Sequence, residues 1–155
     1  MITVSFTLPE PGSPWRRTWN DVRCERAVDL GEMDLRYKYF AANVELSVNG
    51  VEFISKRRFV TLVDLALSIS GVVRRVSSGG EAAFGFTESD EVVRVTRDGD
   101  LVRLSSSNRP EVVSLPQDEL IVEFRRFLHS VHSRMVAEVP ELVRNPTVQK
   151  ILPPV

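Results

Sequence analysis

The sequence has little sulfur, little imidazole and little lysine: one Cys, two His and three Lys in 155 residues. A single thiol, Cys24, excludes an intramolecular disulfide and a cysteine-based zinc site, and fits a reducing compartment. Long apolar runs are missing as well. The longest are interrupted by Asp64 and Arg74, far short of a membrane span. The opening MITVSFTLPEPG has no basic stretch and meets Pro9 too early for a signal peptide, so a cytoplasmic protein is expected. Charge of one sign is also missing. The formal net charge of −1 argues against a general nucleic-acid binder, while leaving room for a local basic face.

What is present is ordinary for a globular chain: 43% hydrophobic and 26% charged residues. The length predicts one domain, 1–155, with a core that needs no staples. Seventeen of the twenty basic residues are Arg. A planar guanidinium pairs bidentately with carboxylate or phosphate. Codon bias in a GC-rich genome gives the same excess, so the count alone carries no function.

Ile2–Leu8 (ITVSFTL) alternates as a half-buried strand and is followed by the turn-rich PEPGSP. Trp15 and Trp19, four apart, would share one face of a helical turn, covering a core edge or offering an aromatic contact. Val22–Val28 reads as a weak strand. In NVELSVNGVEF, Asn49-Gly50 separates two alternating runs, the strongest short hairpin pattern. A two-residue turn there pairs Val48 with Val51 and Leu46 with Phe53. Apolar parity switches near Phe40–Asn43, so a continuous strand from Leu35 would need a bulge or turn.

Phe59–Val76 has helical spacing, with Leu62, Leu65, Ala66, Ile69, Val72, Val73 and Val76 on one stripe. Val63 and Leu67 lie off that stripe, which predicts burial on more than one side. Gly79 or Gly80 would cap it in a left-handed conformation. Strands follow near 83–87, 91–97 and 100–106. Ser114 and Gln117 resemble a capping box opening a second helix, whose buried stripe is Leu120, Phe124, Phe127, Leu128, Val131 and Met135. Pro140 stops it, and one short helical turn is expected in the tail. The fold class expected is α+β: a largely antiparallel sheet built from hairpins, with two main helices packed on one face. Each half reads hairpin then helix, with NG in one turn and DG in the other, as a distant duplication or by chance.

The stretch VRVTRDGDLVRL holds the most pointed question. A two-residue turn at Asp98-Gly99 would pair Val95 with Val102 and Val93 with Leu104 in the core. The opposite face would then set Arg94 against Arg103, and Thr96 against Leu101. Directly opposed like charges repel by up to about 1 kcal/mol. Solvent, a carboxylate such as Glu45 or Glu52, or an acidic partner would offset this.

Other chemistry-bearing residues are sparse. His129 and His132 (HSVH) are spaced to share a metal only if a third ligand arrives from elsewhere; a structural role is the simpler reading, and no metal is expected. Cys24, in DVRCER, has cationic flanks but no motif of a cysteine enzyme. Glu88, Asp90 and Glu91 read as solvated turn carboxylates. The Gly79-Gly80 loop lacks GxxxxGK[ST], and no cofactor is expected. SSSNRP at 105–110 reads as a polar loop.

NVELSVNGVEF, FVTLVDLALSI, VVRVTRDGDLVRLSSS and FRRFLHSV together resemble small bacterial immunity proteins of polymorphic-toxin systems over roughly residues 43–135. That resemblance implies a non-catalytic protein that binds and blocks a toxin domain, with no active-site residue to carry over. Many such proteins are distinctly acidic to match basic nucleases; this chain is near neutral, which points away from a nuclease target. The expectation is a protein-binding domain, not an enzyme, acting by occlusion through Arg94, Arg103, Thr96, Leu101, Glu45 and Glu52. Two alternatives stand beside it. One is an enzyme or ligand-binding domain with a pocket between sheet and helices, lined by Tyr37, Tyr39, His129, His132 and Cys24. The other is an assembly subunit docking through the Trp15/Trp19 segment or the C-terminal tail.

Overall fold

A computed structural model describes residues 1–153, except for the side chain of Cys24. In chain order the elements are β1 (Ile2–Thr7), α1 (Arg17–Asn20), α2 (Glu32–Tyr37), β2 (Ala41–Val48), β3 (Val51–Ile54), β4 (Phe59–Thr61), α3 (Leu62–Ser77), β5 (Ala82–Phe86), β6 (Ser89–Asp98), β7 (Leu101–Ser106), β8 (Val112–Pro116), α4 (Gln117–Glu138) and α5 (Pro146–Gln149). The architecture is α+β, and all its strand pairs are antiparallel among the described residues. The strands form two sheets rather than one. In the first, β2 lies between β1 on one side and β3 and β4 on the other; the second is the meander β5-β6-β7-β8. Each sheet's last strand runs straight into a long helix, β4 into α3 and β8 into α4.

The two long helices pack on each other. α3 also lies against β5, and α4 against β1 and β8. Their predicted stripes are the buried ones, and Val63 is buried on the second side of α3. That second side receives the tail: Ile151 is buried, and the Ser70 hydroxyl donates to the Lys150 carbonyl. One apolar cluster joins both sheets to the helices, with Trp19, Phe40, Phe53 and Phe124 among its largest members. Fully burying a side chain such as Phe124 is worth about 2 kcal/mol.

Several local readings change. Val22–Val28 is not a strand; 3₁₀ turns occupy Asp21–Cys24 and Ala27–Asp29. The odd-parity run from Leu35 is the helix α2, so the parity switch marks a change of element. Phe40 makes that corner with a φ of 63°. A non-glycine residue there costs of order 1–3 kcal/mol and persists only when its surroundings hold it. Trp19 packs edge-on against the Phe40 ring at 4.8 Å, and the Phe40 backbone N–H donates to the Thr18 carbonyl. Trp19 in turn donates its indole N–H to the Ala41 carbonyl at 2.7 Å, pinning the start of β2. The Asn49-Gly50 turn does pair Val48 with Val51, but a bulge follows and Leu46 faces Ile54 rather than Phe53.

Ser114 caps nothing. It lies in β8, a strand the sequence reading missed, and α4 starts at Gln117 without a side-chain cap. Gly79 does terminate α3 with a φ of 89°, its N–H reaching the Val76 carbonyl.

Candidate partner-binding face

The β6–β7 hairpin turns one residue later than expected. Gly99, at a φ of 65°, is the first residue of a Gly99-Asp100 loop, so Asp98 pairs with Leu101. Glycine at the first central position suits a type II′ turn, which follows the right-handed strand twist. The shift corrects every predicted pair. Thr96 faces Arg103, Arg94 faces Ser105, Val95 faces Leu104, Arg97 faces Val102 and Val93 faces Ser106. Val93, Val95, Val102 and Leu104 remain the core face. Arg94, Thr96, Leu101 and Arg103 remain on the open one, because both arginines keep their parity. The register thus removes the direct opposition of the two guanidiniums.

Arg103 pairs with Asp98 at 3.1 Å, not with Glu45 or Glu52. Both groups are about half exposed (54% and 52%), so the pair is worth under about 1 kcal/mol. Arg94 has no ion pair among the described residues. The flanking strands extend this face. Ala83 lies opposite Arg94, Ser114 opposite Arg103, Pro116 opposite Leu101 and Val112 opposite Ser105. Leu101 is 40% exposed and Val112 58%. The result is two cations, Arg94 unpaired among the described residues and Arg103 held by Asp98, set among exposed apolar side chains on a four-stranded surface.

Glu45 and Glu52 lie elsewhere. They sit on the open face of the first sheet, opposite Ser5 and Ser47. The six-residue face expected from sequence therefore divides into a cationic, partly apolar face on β5–β8 and an acidic, hydroxyl-rich face on β1–β4. The strands form two sheets where the hairpin pattern predicts one, because hairpin turns alone do not say which hairpins join.

The remaining candidates disperse. Trp19 is buried, whereas Trp15 is exposed and stacks on Phe59 at 5.0 Å. Tyr39 is buried and Tyr37 exposed; His129 is exposed and His132 half-buried. The imidazole of His132 is pushed below its ordinary value by burial first, then by neighbouring His129. Neither the cleft between Val28 and Pro140–Arg144 nor that between Phe6–Leu8 and α4 is lined by these tyrosines or histidines. The role of Cys24 lies outside the described residues. No three His, Cys, Asp or Glu side chains among the described residues converge to hold a metal ion.

Two turn carboxylates are not simply solvated. Glu91 is buried; it accepts the Ser106 hydroxyl and pairs with Arg58 at 3.3 Å, while Arg58 lies over the Phe86 ring at 4.4 Å. Strand parity was the available clue, since Glu91 shares the inward phase of Val93 and Val95. Glu88 accepts both the backbone N–H and the hydroxyl of Thr61, at 2.8 and 3.1 Å, at the entrance to α3.

Comparisons with protein-family models, curated proteins and solved structures return no match for this chain.

Proposed function

We propose that the chain is a non-catalytic protein-binding domain, immunity-protein-like, which occludes an acidic surface of a protein partner with the open face of β5–β8. The carrying observation is Arg94: an exposed guanidinium without an ion-pair partner among the described residues, on the same face as Arg103, Leu101 and Val112. Arginine beside exposed apolar side chains is the composition of interface hot spots. The near-neutral whole molecule keeps this attraction local rather than general, which favours one protein partner over nucleic acid. A toxin domain fits this role, in the cytoplasm of a bacterium. Among the described residues no helix is long and apolar enough to cross a membrane.

The test is affinity capture from the native host, identification of the partner, and titration of the purified pair. Arg94→Glu/Arg103→Glu should weaken binding about a hundredfold or more, and wild-type association should slow with added salt. Binding that ignores both the substitutions and the salt contradicts the reading.

A further inference from the structure

The two sheets treat their outer edges differently. On β8 the Ser114 carbonyl, which faces away from β7, accepts the Asn49 side-chain amide at 2.9 Å, and Pro116 has no N–H to offer. That edge is blunted. The edge of β1 is not. The Asn49 N–H donates to the Met1 carbonyl, and Ile2 pairs with Val48 in the same register. Hydrogen-bonded pairs alternate along an antiparallel ladder. Thr3, Ser5 and Thr7 therefore bond to β2, while the N–H and C=O of Ile2, Val4 and Phe6 point outward. Those outward groups have no hydrogen-bond partner among the described residues. Val4, Phe6 and Leu8 are only half-buried although they lie on the core side, whereas Val44, Leu46 and Val48 of the adjoining strand are fully buried. Beside the edge runs a cleft of about 630 Å³, lined on α4 by the small side chains Ser130, Ser133 and Ala137 together with Arg134.

Edge strands are ordinarily guarded by charge, proline or bulges. Ile2–Leu8 has none of these. We infer that β1 pairs antiparallel with β1 of a second copy, joining the two first sheets across a two-fold axis. The strand is complementary to itself. An axis through the Val4 pair sets Ile2 against Phe6 and Thr3 against Ser5, apolar on apolar and hydroxyl on hydroxyl. No charge opposes another, and about six interchain hydrogen bonds form. The cleft on α4 gives the copy's apolar side chains a place to enter. This surface is separate from the β5–β8 face and stands independently of the function proposed for that face.

Sedimentation velocity over roughly two orders of magnitude in concentration tests it. The full chain should shift from 17.5 kDa to twice that mass, about 35 kDa. Val4→Pro removes an outward N–H without touching a bond to β2, and proline is tolerated at such edge positions. It should weaken dimerisation at least about tenfold. Ser5→Lys leaves the Val4 packing intact and puts a charge on the edge; it should do the same, and it decides the matter if Val4→Pro does not fold. Hydrogen exchange gives a second readout: the amides of Ile2, Val4 and Phe6 should gain protection as concentration rises. A monomer at every concentration, a dimer that survives Ser5→Lys, or exchange at these amides that ignores concentration each overturns the inference.

Discussion

The open faces of the two sheets are built alike and differ in what they expose. On β1–β4 the outward residues are Thr3, Ser5, Thr7, Asn43, Glu45, Ser47 and Glu52, and Trp15 stacks over Phe59 at one end. On β5–β8 they include Arg94, Thr96, Leu101, Val112 and Pro116, and Arg103 paired with Asp98. The first is a hydrated face with two carboxylates and no cation from its strands. The second combines guanidinium with exposed carbon. A small hydroxyl surface gains little by losing water, whereas Arg stems, Leu and Val gain apolar burial while the guanidinium supplies direction. Of the two, the second face is the one that fits the acidic partner proposed above, and the whole-chain charge of −1, a balance of 20 basic and 21 acidic residues, does not reveal it.

The largest effect expected on that contrast is functional. Arg94→Glu/Arg103→Glu should abolish partner capture while costing no more than about 1 kcal/mol of stability, the loss of the half-exposed Arg103–Asp98 pair included. Denaturant melts alongside binding titrations check it. Next comes the buried charge at the end of the second sheet. Arg58→Met leaves the Glu91 carboxylate with the Ser106 hydroxyl but no cation, and should cost about 3 kcal/mol by urea unfolding. A loss under about 1 kcal/mol would mean that water, not Arg58, satisfies Glu91.

Smaller is the seam between the sheets. Asn49→Gly keeps the positive φ of 50° but removes the bond to the Ser114 carbonyl. It should cost about 1 kcal/mol and raise amide exchange along β8. The smallest effect is a pH dependence. The folded pKa of His132 lies below its unfolded value, so the unfolded state binds more protons between the two. The contribution is fully present above the ordinary value of about 6.5 and is lost as pH falls through the folded pKa. His132→Gln should flatten that part of the stability–pH curve; an unchanged curve would place the titration elsewhere.

Much of this was legible in the sequence. Helical spacing located the buried stripes of both long helices, because an apolar stripe at period 3.6 has no other use in a globular chain. Residue parity put Arg94, Thr96, Leu101 and Arg103 on an open face despite the one-residue error in the turn. That error arose because Asp-Gly suits two turn frames: Gly99 has a positive φ in either, and the frame is decided by Asp98, which lacks the positive φ that a type I′ turn at Asp98-Gly99 requires. β8 was missed because Pro116 and the Ser114/Gln117 spacing imitate a helix start. The separation of Glu45 and Glu52 from the arginines was not legible at all. Sheet membership is set by long-range pairing, such as β1 with β2 across some forty residues, and nothing local encodes it.

A three-bait capture experiment sets one face against the other. The wild-type chain, Arg94→Glu/Arg103→Glu and Glu45→Lys/Glu52→Lys would be used as equal baits in the native host at moderate salt, each first shown to be folded. A stoichiometric acidic protein retained by wild type and by the glutamate variant, but lost from the arginine variant, is the predicted result. Loss from the glutamate variant with retention by the arginine variant, or equal retention by all three, would contradict the claim.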